Sequence, residues 1–385
     1  MRTSVSTNLY DQKWDKKATL EYQRASQFTP FIGKGTNNPI MYRSMEAQTD
    51  NIPFVPDLAG SFINADARLK GNETAMPSYH EQVTAEWLRK AVEYTKRTVS
   101  FTAFDVRSAA KDSVVNFYKN AMRTRIIDAA LSVRNSTSAG ANSIYGLITA
   151  GSNGPEITSG NSAGASVTSI EGATVTTASE ATKDGWLTNN ADRVLFGSQK
   201  SNGSSNDHSV ALANVDTTDD TPRASQISLL KRMAKLASPR INPFKLGEKG
   251  TEWFLYLCPS RGFRDFQADP EIRQADLDAR NRGLDNPVFT GGELLYNGVI
   301  IKEVEEMPVL TAVGASSADV GVGVLLGNQA LAYGVYQEMQ SIADTDDYEW
   351  ARGIGTECCD TFKKIFFNGK QNGVVTHYFA ALADA

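Results

Sequence analysis

Cysteine and histidine are both scarce, three of each in 385 residues. Cys258 stands apart from the neighbours Cys358 and Cys359; this odd count without disulfide-framework spacing makes reduced thiols the expectation. His80, His208 and His377 are far apart, and none sits in a two-histidine helical motif of the kind that holds zinc. Nowhere do about 18 consecutive apolar residues occur, so no transmembrane helix is expected. The first residues mix Asp11, Lys13, Asp15 and Lys16 with polar groups and lack the apolar core of a secretory signal. A surplus of positive charge is missing too. The formal net charge is −5, which excludes a coat that grips nucleic acid through bulk charge.

Catalytic constellations are equally absent. Gly321-Val322-Gly323-Val324-Leu325-Leu326-Gly327 has the wrong spacing for a dinucleotide fingerprint and reads as a buried strand. Gly33-Lys34-Gly35-Thr36 lacks the upstream glycine of a phosphate loop, and no Gly-x-Ser-x-Gly elbow occurs. Asp344, Asp346, Asp347 and Glu349 form the densest acidic cluster without the spacing of a calcium loop, so a solvated turn is the reading. Glu303, Glu305 and Glu306 could supply paired carboxylates, and Cys358 with His377 a nucleophile and base; an acidic edge and buried structural residues are the plainer accounts. No catalytic residue, cofactor or metal is expected. A hydrolase built on the carboxylates near Glu303 and Asp344 stays as the enzyme alternative.

What is present is an ordinary folding composition, 41% hydrophobic and 22% charged, in a chain long enough for two or three packed units. Residues 1–56 read as an extended, irregular arm punctuated by Pro30, Pro39, Pro53 and Pro56. Its Phe28, Phe31, Ile32, Met41, Tyr42, Ile52 and Phe54 follow no clean period and lack local core partners. Residues 57–104 read as a long, mostly solvated β-ribbon, too poor in core to stand alone and so expected to lie on another subunit.

The strongest periodic signal follows. Val106, Ala109, Ala110, Val114, Phe117, Tyr118, Ala121, Met122, Ile126, Ile127, Ala130 and Leu131 step at helical intervals, with Asp105 as N-cap. Arg107, Lys111, Lys119, Arg123 and Arg125 give this helix's polar face a modest basic bias, read as a solvated face with weak nucleic-acid contact as the other reading.

Residues 135–220 turn to Ser, Thr, Gly, Ala and Asn and read as an inserted surface unit. A second helix is predicted from Thr221-Pro222 to Ser238-Pro239, a helical stretch within Arg261 to Arg280, and buried strands at Trp253 to Cys258, Val299 to Val304, Val322 to Leu326, Phe362 to Phe367 and Val374 to Phe379. Strands and helices in no regular βαβ order make the fold class α+β.

The order of elements and several segments resemble the major capsid proteins of the N4-like podophage family. The residues that carry this are Pro56-Asp57-Leu58 through Asp66 to Glu73, Tyr79 to Val83, the helix opening at Asp105-Val106-Arg107, and Cys258-Pro259-Ser260 with Phe263, Arg264 and Phe266. Arg282 to Gly291, Gly298 to Glu303, Leu326 to Ala330, Asp347-Tyr348 and Lys363-Lys364 to Val375 extend it over roughly residues 25–380.

The resemblance implies an HK97-like phage capsid fold. Residues 1–56 would be its N-terminal arm, 57–104 the extended loop, 105–134 the spine helix of a peripheral domain, 135–220 an insertion, and 221–385 the axial domain with closing strands. It implies a structural protein and no enzyme, assembled in the host cytoplasm into hexamers and pentamers of an icosahedral virion shell. Implied partners are portal, scaffolding and decoration proteins and weakly held double-stranded DNA, with no membrane. Phe28, Phe31 and the loop tip Arg68, Lys70, Gly71, Asn72 and Glu73 are the expected intersubunit contacts. An encapsulin-type or S-layer subunit shares the structural logic and is the structural alternative.

Overall fold

The computed structural model describes residues 28–34, 37–55, 62–63, 68, 70, 73, 76, 78–102, 105–134, 145–147, 178–203, 205–246, 251–280 and 294–383. In chain order the first strands are β1 (Ile32–Lys34), β2 (Ile40–Ser44), β3 (Thr49–Phe54), β4 (Tyr79–Thr84) and β5 (Glu86–Thr95), followed by α1 (Lys96–Phe101) and α2 (Val106–Leu131). Then come β6 (Ser132–Arg134), β7 (Tyr145–Leu147), α3 (Glu180–Asn189), β8 (Val194–Phe196), α4 (His208–Ala213), α5 (Ala224–Leu236), β9 (Phe244–Leu246) and β10 (Thr251–Cys258). The rest comprises α6 (Ser260–Ala268), α7 (Pro270–Arg280), β11 (Leu294–Tyr296), β12 (Val299–Glu303), β13 (Val309–Leu310), β14 (Val320–Leu326), β15 (Leu331–Asp346), β16 (Ala351–Lys364), β17 (Phe366–Phe367), β18 (Lys370–Gln371) and β19 (Val374–Ala380).

Two sheets organise the chain. The larger runs β11-β12-β10-β14-β19-β8, with β13 on β14 and β9 on β10. Its three central strands are buried on both faces, and strand alternation divides their side chains between two cores. Leu255, Leu257, Val322, Val324, Val374 and Tyr378 face one core, which α3 and α4 close with Trp186, Leu187, Ala211 and Leu212. Phe254, Tyr256, Leu325, Val375 and Phe379 face the other, closed by Ile227, Leu230 and Met233 of α5, Phe263 and Phe266 of α6, and Ile272 of α7.

The second sheet runs β1-β2-β15-β16-β5. β15 and β16 form a long antiparallel hairpin whose register shifts between Val335 and Gln337 and again before Gln340. β2 covers only its base, at Leu331 to Val335, while β5 follows β16 from Asp360 to its tip. The 26-residue α2, about 39 Å long at 1.5 Å per residue, bridges the sheets. Its Asp105 Oδ1 accepts hydrogen bonds from the Arg107 and Ser108 amides, as the cap assignment requires. Val106 and Ala110 pack on Val92, Tyr94 and Ile354. Its other end, Ile126 to Leu131, enters the first core beside Leu331, Phe362 and Phe366.

Several expectations change. The arm, read as irregular, contributes three strands to the chain's own sheets, and β3 pairs with β4 from Thr49–Thr84 to Phe54–Tyr79. The predicted ribbon is thus made by arm and loop together, because β5 leaves it to pair with β16. Within the expected insertion, residues 178–220 belong to the core: Trp186 is fully buried and β8 joins β19 in parallel. The remainder of that insertion, apart from β7, lies outside the described residues. Helix α5 starts at Ala224, two residues beyond the predicted Thr221-Pro222 opening: Arg223 is its N-cap residue, the Arg223 amide donates to Gln226 Oε1, and the Ala224 amide donates to Asp269 Oδ2, at the α6–α7 junction, at 2.9 Å.

Candidate assembly surface

The distal half of the β15–β16 hairpin reaches beyond both hydrophobic cores. Asp347, Tyr348 and Glu349 turn its tip in three successive left-handed conformations, with φ of 50°, 51° and 69°. Such a run is sterically costly for residues carrying a Cβ. The Trp350 amide donates to Asp347 O at 2.9 Å, and the Lys96 amide, opening α1, donates to Trp350 O at 2.8 Å. Tyr348 is fully exposed, and Trp350, Ile342, Val99 and Phe101 show large apolar surfaces on the tip and on α1. Isolated exposed hydrophobics are unremarkable; five grouped on one projecting end mark an interaction surface.

One face of this distal sheet is covered by α2 and the other is open. On the open side a groove of about 610 Å³ is lined by Ala91, Glu93, Ile342, Asp344, Gly353 and Gly355, among others. Between the paired strands Thr49–Phe54 and Tyr79–Thr84, Phe62 is fully exposed and Arg68, Lys70 and Glu73 are exposed. Gly71 and Asn72 lie outside the described residues.

Phe28 and Phe31 are corrected. Both are buried in the chain's own first core, and the Phe31 ring meets Phe244 edge-on at 6.1 Å. Phe244 and most of the core that receives them are distant in sequence, which is why no local period announced them. A side chain without exposed surface has nothing to offer a neighbour.

The helix face read as solvated is also different. Arg107, Lys111 and Lys119 are exposed, but Arg123 and Arg125 are buried. Arg123 pairs with Glu306 at 2.8 Å, which takes one carboxylate of the hydrolase alternative into an internal ion pair. Arg125 Nη1 donates to Asp360 Oδ1 at 2.5 Å and Nη2 to Asp360 O at 2.9 Å, while the Tyr118 hydroxyl donates to Asp360 Oδ2 at 2.9 Å. A second buried cluster joins Arg134 and Lys363 to Glu81, each at 2.8 Å. These internal pairs fix α2, β4 and β6 on β16, and no spacing along the chain announces them.

The remaining polar residues serve packing. Burial, reinforced by Asp360, pushes the Cys358 thiol up to about 12, and burial pushes His377 down to about 4. His377 Nδ1 shares a hydrogen bond with the Tyr256 hydroxyl at 2.8 Å, and its Nε2 meets Gly197 O at 3.2 Å. Cys358 instead lies against Leu88 O and Asp360. A thiol held protonated and an imidazole in separate surroundings do not make a nucleophile and its base. Of the acidic cluster read as a turn, Asp347 and Glu349 form the hairpin tip while Asp344 and Asp346 lie in β15, and no metal-holding group of His, Cys, Asp and Glu occurs among the described residues. No described helix is long and apolar enough to cross a membrane.

A long helix clamped to a long hairpin whose tip exposes apolar groups, beside a two-sided sheet domain, has the frame of a shell-building subunit of the HK97-like kind. The sequence profile of the family described as phage capsid protein matches residues 2–378, and the chain belongs to that family. It is a structural protein of the virion capsid, associating with copies of itself, and not an enzyme. Among solved structures it is similar to the cyanophage Pam1 capsid, with 29% identity and a TM-score of 0.81 over 99% of both chains. The capsid of Ralstonia phage GP4, 17% identical over 100% of both chains with a TM-score of 0.71, shares the fold. So does the acid-stable capsid of Helicobacter pylori bacteriophage KHP30, 10% identical with a TM-score of 0.60 over 98% of this chain and 97% of that one. Curated proteins gave no match.

Proposed function

We propose that the chain is the major subunit of an icosahedral head of the N4-like podophage kind, built from its hexamers and pentamers in the host cytoplasm and closed around double-stranded DNA. The observation that supports this best is the projecting apolar end of the β15–β16 hairpin, where Tyr348 is fully exposed and Trp350 is half exposed. Surfaces of that kind are stable in solution only when covered, and repeated contacts multiply a modest interface around a closed shell.

In this reading residues 1–56 are the arm, 57–104 the extended loop, 105–134 the spine helix, and the central sheet with its helices the axial domain. Residues 178–220 go with that axial core, and the remainder of the 135–220 segment is a surface addition. Arg68, Lys70, Gly71, Asn72 and Glu73 contact a neighbouring subunit. Portal, scaffolding and decoration proteins are the further partners. DNA is confined rather than gripped: with net charge −5, and with Arg123 and Arg125 committed internally, free subunits bind it weakly and salt-sensitively. Electron microscopy of the expressed chain tests the whole reading. Closed icosahedral particles are expected; flat sheets would move the chain to a surface-layer role. Deleting residues 60–72 should abolish closure, and unchanged particles would remove the loop from the interface.

A further inference from the structure

The open face of the distal sheet is unfinished within one chain. Opposite the face covered by α2, the central strand has no side chain at Gly353 or Gly355, and Ile342 and Ala91 flank Gly355 in register. A Cβ at Gly353 would approach nothing closer than two backbone oxygens at 4.0 Å, so the floor is open. Glu93, Asp344, Asp346 and Glu357 stand around it. Arg89 is drawn to Glu357 at 3.8 Å, and Lys90 turns to the covered face, over the Phe117 ring at 5.1 Å. The trough is therefore apolar below and acidic at its rim. A second copy of the same sheet would bring like charges together, which disfavours a face-to-face contact.

The chain carries the complementary chemistry in residues 1–27, which precede the described residues. Arg2, Lys13, Lys16, Lys17 and Arg24 outnumber Asp11, Asp15 and Glu21 there, and Trp14 stands next to Lys13. We propose that the segment Lys13 to Lys17 of one copy docks in the glycine-floored trough of a second copy, with Trp14 on the floor and the lysines toward Glu93, Asp344 and Asp346.

Reach favours a second copy. Phe28 stands one turn before Ile32, with its carbonyl accepting from the Phe31 amide; Ile32 pairs with Ile40, which pairs with Leu331 at the base of β15. From Leu331 to Asp344 the strand runs about 43 Å at ~3.3 Å per residue. The 14 residues from Phe28 back to Trp14 span at most ~50 Å fully extended, which leaves a segment almost no slack to reach its own trough. A neighbouring chain has no such constraint.

This docking goes beyond the shell assignment and can fail without it. The test co-expresses a Trp14→Cys chain with a Gly353→Cys chain, the native Cys258, Cys358 and Cys359 being buried. Assembled particles should yield a reducible band at twice the chain mass, and Lys13→Glu, Lys16→Glu and Lys17→Glu together should reduce it at least tenfold. Combining those with Asp344→Lys and Asp346→Lys should restore it. Ile342→Cys serves as the groove probe if Gly353→Cys fails to assemble. Three outcomes overturn the proposal: no band with either probe, a cross-link forming only within a chain that carries both cysteines, or preferential capture of Lys70→Cys, which would give the trough to the extended loop. Microscopy of the same particles reports the shell assignment separately.

Discussion

Replacing Asp360 by alanine should be among the most damaging single changes in this chain, because one carboxylate fastens the spine helix to the hairpin. Asp360 is 1% exposed and Arg125 is buried against it, so the substitution leaves a guanidinium without its counter-charge in a region closed to water. Breaking a buried ion pair from one side costs ~3–5 kcal/mol. The Tyr118 hydroxyl loses its acceptor at the same time, adding ~1–3 kcal/mol for an unsatisfied buried group. The combined loss, on the order of 5 kcal/mol, is a large share of the ~5–15 kcal/mol that holds a typical domain folded.

Removing both charges is a different perturbation. Arg125→Met with Asp360→Leu takes away the charges and their desolvation together, and should be much milder than Asp360→Ala alone. Urea denaturation of the unassembled full chain, followed by far-ultraviolet circular dichroism, measures the cycle. A loss below ~1 kcal/mol for the single variant, or a double variant less stable than the single, would refute the argument that this pair matters because it is buried and mutually satisfied.

Acid should weaken the fold through His377. Burial lowers its pKa from 6.5 to about 4, so between those values the unfolded chain binds the proton and the folded chain does not; stability falls as pH drops through that window, by ~3 kcal/mol in total, and His377→Gln should flatten the slope. Lys364 is buried and lowered from 10.5 to about 7, so stability rises with pH between those values; Lys364→Met should stabilise the chain most at pH 7 and below, read as a higher urea midpoint. Gly323→Ala would drive a Cβ into the Tyr256 hydroxyl that His377 engages, and thermal melts should show a loss of ~1–3 kcal/mol. Tyr348→Ser with Trp350→Ser should leave monomer stability within ~0.5 kcal/mol yet impair particle formation in sedimentation assays.

Local pattern carried the sequence reading where one element's own residues settle its burial. The α2 stripe with Asp105 as cap, and the largely apolar runs at Leu255 to Cys258, Val322 to Leu326 and Val374 to Phe379, needed no knowledge of their neighbours. The long hairpin was read only at its base, Phe362 to Lys364: the distal half of β15 is exposed, α2 covers one side of β16 and β5, and two register shifts break the alternation that a strand would otherwise show. Phe28 and Phe31 looked partnerless because the core that receives them is assembled from residues up to several hundred positions away. Arg123 and Arg125 looked solvated for the same reason: a charge is buried or exposed according to what folds over it. Thus the sequence by itself determined the α+β class, the long helix Val106–Leu131 and, through family resemblance, the capsid fold. Only the tertiary structure decided which charges are spent inside the chain and which apolar groups stay outside, with Tyr348 and Trp350 exposed at the hairpin tip and a glycine-floored groove beside it, because both depend on pairings between segments far apart in sequence.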